Sequence, residues 1–108
     1  MIHVQSLFSG TTPSSAEELF TTLFEKPGLK VERIDSQGQA SPEGFWYDQP
    51  QDEWVVLLRG SARLEIEAQP PLTLHPGDHV TLPSHTRHRV LETSQDALWL
   101  AVHADGRF

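Results

Sequence analysis

From Gly28 onward, short runs of alternating apolar and polar residues are broken at close intervals by turn-forming residues, and no other feature of the sequence constrains the fold as tightly. The runs are Lys30–Asp35, Gly44–Asp48, Trp54–Arg59, Ala62–Glu67, Leu72–Leu74, His79–Leu82, His88–Thr93 and Ala97–His103. Between them lie Ser36-Gln37-Gly38, Ser41-Pro42-Glu43-Gly44, Gly60-Ser61, Gln69-Pro70-Pro71, His75-Pro76-Gly77-Asp78 and Ser94-Gln95-Asp96. Residues that alternate with period two present one face to a core and the other to water, and Gly, Pro, Ser and Asp supply the backbone angles of the turns. About eight strands so spaced imply an antiparallel β-sandwich or small barrel.

The segment before Gly28 reads differently. In Ser14–Lys26, Leu19, Phe20, Leu23 and Phe24 follow helical spacing, Ser14 or Ser15 can cap, and Glu17 and Glu18 suit a positive first turn. Pro27-Gly28 would stop it. A helix is expected there, so residues 1–28 form a helical segment and 29–103 a barrel, within one domain spanning 1–108.

Two runs are apolar on both faces, Trp54-Val55-Val56-Leu57-Leu58 and Leu98-Trp99-Leu100-Ala101-Val102. Ala62, Leu64 and Ile66 instead alternate with Arg63, Glu65 and Glu67, as in a strand with one wet face. A strand apolar on both sides needs a second covering layer. The candidates are the N-terminal helix, the other sheet or another subunit, and a homodimer is the expected assembly.

With 108 residues, 37% hydrophobic and 21% charged, the chain has the composition of one globular domain. A formal charge of −7 argues against nucleic acid and against an anionic membrane surface. No apolar run approaches a membrane span, and Met1–Gly10 lacks the pattern of a secretory signal, so a cytoplasmic location is expected. The lack of cysteine removes disulfides, thiolate metal sites and a Cys nucleophile. No Gly-x-Ser-x-Gly elbow, phosphate-cradling Gly-rich loop or dinucleotide fingerprint is present.

Four of the six histidines, His75, His79, His85 and His88, fall within fourteen residues. The stretch Pro76-Gly77-Asp78 to His88 has Gly77, Pro83 and His88 at the offsets of the second sequence motif of the cupin superfamily, with His85 in a place usually held by Gly. Gly44 to Gly60 resembles the first motif: Glu53 is followed by six residues and Gly60. That motif's His-x-His pair is missing, and Tyr47, Asp48 and Gln49 stand in its neighbourhood. The chain therefore resembles a small cupin, which implies an RmlC-like jelly roll, a double-stranded antiparallel β-helix.

The resemblance also implies a site in the barrel mouth. Glu53 and His88 are the motif ligands that remain, with Asp48 and Gln49 as the oxygen donors nearest the absent histidines. Imidazole and carboxylate together would suit a divalent metal, Zn²⁺, Mn²⁺, Fe²⁺ or Ni²⁺. A small organic ligand would then meet Lewis-acid, isomerase-like chemistry or an oxygenase, with His85 or Tyr47 as candidates to exchange protons. Oxygenases usually need two histidines and a carboxylate, which makes the isomerase-like reading the better match. The alternative is a non-catalytic module, without metal, that binds a small molecule or serves as a dimeric interaction unit. Each residue also has a plainer reading: Glu53 as a rim charge, His88 as partly exposed, Asp48 and Gln49 as turn residues, His85 as solvated. His75 and His79 read as turn and strand-surface residues, Asp78 as closing its turn, Trp46 and Tyr47 as barrel wall, and His103 as a weaker pocket candidate.

Overall fold

Seven of the eight expected runs become strands, and the eighth strand comes from the expected helix. The computed structural model describes residues 1–9 and 17–105. Its elements are β1 (Leu19–Lys26), β2 (Leu29–Asp35), β3 (Asp52–Arg59), β4 (Ala62–Ile66), β5 (Leu72–Leu74), β6 (His79–Leu82), β7 (His88–Thr93) and β8 (Leu98–Ala104). A five-stranded sheet in the order β1-β2-β8-β3-β6 faces a three-stranded sheet in the order β5-β4-β7. All pairings are antiparallel, and the expected all-β jelly roll is the architecture found.

The expected helix over Ser14–Lys26 is not formed across its described part: Leu19–Lys26 is β1, and Ser14–Ala16 lie outside the described residues. Two local causes explain the difference. Lys26 pairs with Leu29 across Pro27-Gly28, so the dipeptide read as a helix stop is a two-residue hairpin turn, with Gly28 at φ +79°. A bulge between Thr22 and Phe24 then shifts the phase of alternation, so Leu19, Phe20, Leu23 and Phe24 satisfy helical spacing while lying in a strand. Gly44–Asp48 is the other departure, since only Tyr47 there makes a bridge, to His88.

The inner face of the large sheet is graded. Across β3, β8 and β2, Leu57, Trp99 and Ile34 form one row, and Val55, Ala101 and Glu32 the next. Glu53 and His103 stand opposite each other at the far end. Leu57 and Ala101 are fully buried, and Ala62, Leu64, Ile66 and Leu74 of the small sheet pack against them. Each such large apolar side chain contributes roughly 1.5–3 kcal/mol by leaving water. The apolar end closes the barrel, and the ionisable end is left as its mouth.

The turns behave as their chemistry requires. Asp78 accepts a hydrogen bond from the His75 backbone N–H at 2.8 Å, closing the Pro76-Gly77 turn as expected. A Cβ on Gly60, which lies at φ +83°, would stand 2.9 Å from the Ala97 Cα and closer still to Ser94 Oγ, so only glycine fits there.

Candidate functional site

The site lies where the graded face turns polar. A cavity of about 80 Å³ has Ile34, Val55, Leu64, Leu82, Val90 and Trp99 as its apolar walls. Its polar side is built by Glu18, Glu32, Glu53, Tyr47, His88 and His103, with Gln49 beside them. No Lys or Arg lines this inner chamber among the described residues.

His88 enters from β7 and Glu53 from β3, so the two sheets bring together residues 35 positions apart. Their side chains are buried, with Nε2 of His88 3.5 Å from Oε1 of Glu53. The opposite ring nitrogen, Nδ1, donates to the Thr86 carbonyl at 2.9 Å, which fixes the ring. Burial alone would lower the His88 pKa, but contact with the Glu53 carboxylate and the Thr86 carbonyl overrides it and holds the pKa above its ordinary value of 6.5. The tyrosine ring of Tyr47 stacks on His88 with centroids 5.3 Å apart and planes 21° apart. Burial, together with the charges of Glu18, Glu53 and Glu32, raises the Tyr47 pKa above 10.0 and keeps the phenol protonated.

A second carboxylate–imidazole pair shares the cavity. Nε2 of His103 lies 2.9 Å from Oε1 of Glu32, and Lys30 flanks that carboxylate at 3.6 Å. Glu18, just before β1, accepts a hydrogen bond from the Ser36 hydroxyl, and Ser36 in turn accepts one from Trp99 Nε1 at 3.2 Å. Burial raises the Glu18 pKa despite that hydrogen bond. Sequence reasoning singled out neither Glu18 nor Glu32 for the site. The signal for Glu32 was the alternation of β2, which places it on the same face as Ile34.

Glu32, Gln49 and His103 also line an outer, more open chamber of about 380 Å³ that carries Glu25, Lys26, Lys30 and Asp105. The inner chamber alone holds the volume of two or three waters at roughly 30 Å³ each. The outer chamber reaches the size range of small-molecule sites. His103 and Gln49 therefore stand at the passage between the two.

The segment that replaces the His-x-His pair is stitched to the His85–His88 stretch. Tyr47 and His88 exchange backbone hydrogen bonds of 2.7 and 3.1 Å, and His85 N–H donates to the Gln49 carbonyl at 2.6 Å. Tyr47 and Gln49 face the cavity, while Asp48 points to the exposed lip, where its carboxylate meets His85 Nδ1 at 2.7 Å. His85 itself adopts φ +59°, a conformation that favours glycine. Trp46 is turned outward between Arg87 and Arg89, 5.4 and 5.7 Å from its ring centre. The structure thus gathers Glu53, His88, Gln49, Tyr47 and His103 in one place and sets Asp48 and His85 at the rim.

The model of the cupin domain family matches residues 32–103, two thirds of the chain. The chain belongs to the cupin family. A protein of Ralstonia eutropha JMP134, named a putative mannose-6-phosphate isomerase, has a crystal structure 47% identical in sequence with a TM-score of 0.93, over 97% of this chain and 100% of that one. An RmlC-like cupin from Desulfovibrio desulfuricans (17% identity, TM-score 0.76, 97% of each chain) shares the fold. KdgF from Halomonas sp. does so too (20% identity, TM-score 0.72, 88% of this chain and 86% of that one). No curated protein matches the sequence.

The divalent metal that cupin membership implies asks for three protein ligands with an open position beside them. Among the described residues no group of three His, Asp or Glu side chains could hold one. His88 is paired with Glu53, and His103 is bonded to Glu32. The amide oxygen of Gln49, buried without a hydrogen-bond partner, adds one neutral donor. The carboxylates and imidazoles of the chamber are spent on each other in two separate pairs and no three of them converge among the described residues, so this cupin's donor set does not fit a resident metal.

Proposed function

We propose that this cupin binds a small hydroxy-carbonyl compound, with its reacting end in the inner chamber and its remainder in the outer one, and moves a proton on it in an isomerase-like reaction. The supporting observation is the buried Glu53–His88 pair, a carboxylate and a pKa-raised imidazole 3.5 Å apart against apolar walls. In this reading Glu53 takes the proton from the carbon beside the carbonyl, and His88 gives its proton to the carbonyl oxygen. The resulting enediol becomes the isomeric carbonyl compound when Glu53 returns its proton to the former carbonyl carbon and His88 takes the proton of the neighbouring hydroxyl, with no net oxidation. Tyr47 remains a hydroxyl donor to a ligand oxygen. Burial strengthens each of these interactions, because water no longer competes.

Charge narrows the substrate further. Among the described residues three carboxylates and no Lys or Arg line the inner chamber, and in the outer one Glu25, Glu32 and Asp105 offset Lys26 and Lys30, so the charge favours an uncharged compound over its phosphate ester. The name carried by the relative from Ralstonia eutropha JMP134 agrees with isomerase-like chemistry on a sugar.

The test is interconversion of mannose and fructose, each free and as the 6-phosphate, followed by NMR in deuterated water alongside thermal shift. Deuterium entering the carbon beside the carbonyl, with loss of about 100-fold or more in Glu53→Gln and His88→Gln, is the expected result. Stabilisation of the protein without any exchange would favour the second reading, a non-catalytic binder, which the hydrogen-bonded His103–Glu32 pair at the chamber passage also suits. Neither exchange nor stabilisation would overturn both.

A further inference from the structure

The passage between the two chambers holds a hydrogen-bonding atom that the protein itself leaves unused. Glu32, Gln49 and His103 are the residues that line both chambers. Two of them serve each other, since His103 Nε2 lies 2.9 Å from Glu32 Oε1. The third does not. The Gln49 amide oxygen is buried and has no hydrogen-bond partner among the described residues. Arg89 Nε is buried without such a partner too, but Arg89 lines neither chamber and its Nε stands 3.7 Å from the Glu65 carboxylate. Buried acceptors are seldom left unmet, and one that borders a cavity is met from the cavity.

The segment that presents this oxygen is braced. His85 N–H donates to the Gln49 carbonyl at 2.6 Å, and Tyr47, two residues earlier, exchanges two backbone hydrogen bonds with His88. Pro50 follows and restricts Gln49 to an extended backbone. The wall around the amide is rich in acceptors, with the carboxylates of Glu18, Glu32 and Glu53 beside it in the inner chamber. Such a wall suits a ligand that brings several O–H donors and no negative charge.

We infer that Gln49 is a specificity-determining residue of this site: its amide oxygen accepts a hydrogen bond from the ligand hydroxyl next to the reacting pair of carbons, and so selects a polyhydroxylated carbonyl compound over its deoxy analogue. The inference rests on the proposed placing of the reacting end in the inner chamber. At about 80 Å³, that chamber takes little more than the carbonyl carbon, its neighbour and their oxygens, so the third carbon comes level with Gln49. The free chain already keeps the oxygen out of bulk water. A ligand hydroxyl therefore gains the bond without that desolvation cost, whereas a ligand lacking it covers the acceptor and leaves it unmet.

Calorimetric titration of the full chain and of Gln49→Met tests this with three compounds. They are mannose, mannose lacking the hydroxyl on its third carbon, and mannose with fluorine in that hydroxyl's place. Methionine keeps the length of the side chain and removes the acceptor. In the natural sequence both analogues should bind roughly tenfold or more weakly than mannose, because fluorine preserves the size but cannot donate. In Gln49→Met the three should fall within about threefold of one another. A preference that survives the substitution would overturn the inference, as would a fluoro analogue that binds like mannose. Thermal unfolding guards against a merely structural role: Gln49→Met should hold or raise Tm, and a fall of more than about 4 °C would show that the amide braces the lip instead. Deuterium exchange separates the inference from the isomerase reading. A Gln49-dependent hydroxyl preference without exchange sinks the proton transfer alone, exchange without that preference sinks the inference alone, and no binding of mannose sinks both.

Discussion

Glu53 stands directly opposite His103 in the β3–β8 ladder, yet its carboxylate closes on His88 of the other sheet, 3.5 Å away, while His103 turns to Glu32. The mouth of the barrel therefore contains two carboxylate–imidazole pairs, one spanning the two sheets and one within the large sheet. This division keeps each imidazole beside a single negative partner, and it makes the pairs separable by mutation.

Glu53→Gln should lower the His88 titration midpoint, because the variant loses the charge that holds the imidazolium against the opposing effect of burial. It should also cost roughly 1–3 kcal/mol of stability, the range for leaving a buried polar group poorly partnered. Histidine ring resonances followed by NMR across pH 5–9, with urea unfolding of both proteins, measure the two effects. An unchanged His88 midpoint would show that Glu53 does not set it.

The same pair gives stability a definite pH dependence. The His88 pKa is raised in the folded chain relative to its ordinary value of 6.5, so the folded state binds the proton more tightly than the unfolded state does. Its contribution is then fully present below pH 6.5 and is lost as pH rises through the folded value. Urea midpoints should fall on going from pH 6 to pH 9, and His88→Gln should flatten that slope. A slope unchanged by the substitution would assign the effect to other groups.

Much of the barrel was legible because turn chemistry and period-two alternation act locally. Leu72–Leu74, His79–Leu82 and His88–Thr93 were bounded by their own Pro, Gly and Ser residues, and their limits agree with the structure. β1 was not legible, because its bulge mimics helical spacing and its hairpin turn uses the same Pro-Gly that ends helices. Family spacing pointed to Glu53 and His88, which do meet. Glu18 and Glu32 escaped because a lone acid in a strand reads as solvated until the register shows which face it occupies. Asp48 and Gln49 could not be told apart by spacing. The bridge at Tyr47 decides between them, directing Tyr47 and Gln49 inward and Asp48 to the lip.

His85 offers a test of backbone strain at that lip. Its φ of +59° costs an ordinary residue about 1 kcal/mol relative to glycine. Against this stands the bond to Asp48, made between exposed side chains and therefore weak. His85→Gly should leave stability unchanged or raise it by up to about 1 kcal/mol, whereas His85→Val should lower it, since a β-branched residue tolerates this conformation least. Thermal unfolding of the two variants checks the order. A large loss in His85→Gly would mean that the Asp48–His85 contact holds the lip in place.

Chelation separates acid–base chemistry at Glu53 and His88 from chemistry at a metal. A resident metal present at 100 times its dissociation constant would add about 2.7 kcal/mol to stability. For a domain of this size that corresponds to roughly 10 °C or more in Tm. With the carboxylates and imidazoles paired off and no three of them converging among the described residues, the expected shift on adding EDTA is below about 1 °C, and Zn²⁺ or Mn²⁺ added back should not raise Tm. Restoring the missing motif nitrogens in Tyr47→His/Gln49→His should create metal-dependent stabilisation, because both positions face the cavity beside Glu53 and His88. A drop of several degrees in the natural sequence on chelation, abolished by His88→Gln, would show instead that Glu53 and His88 hold an ion.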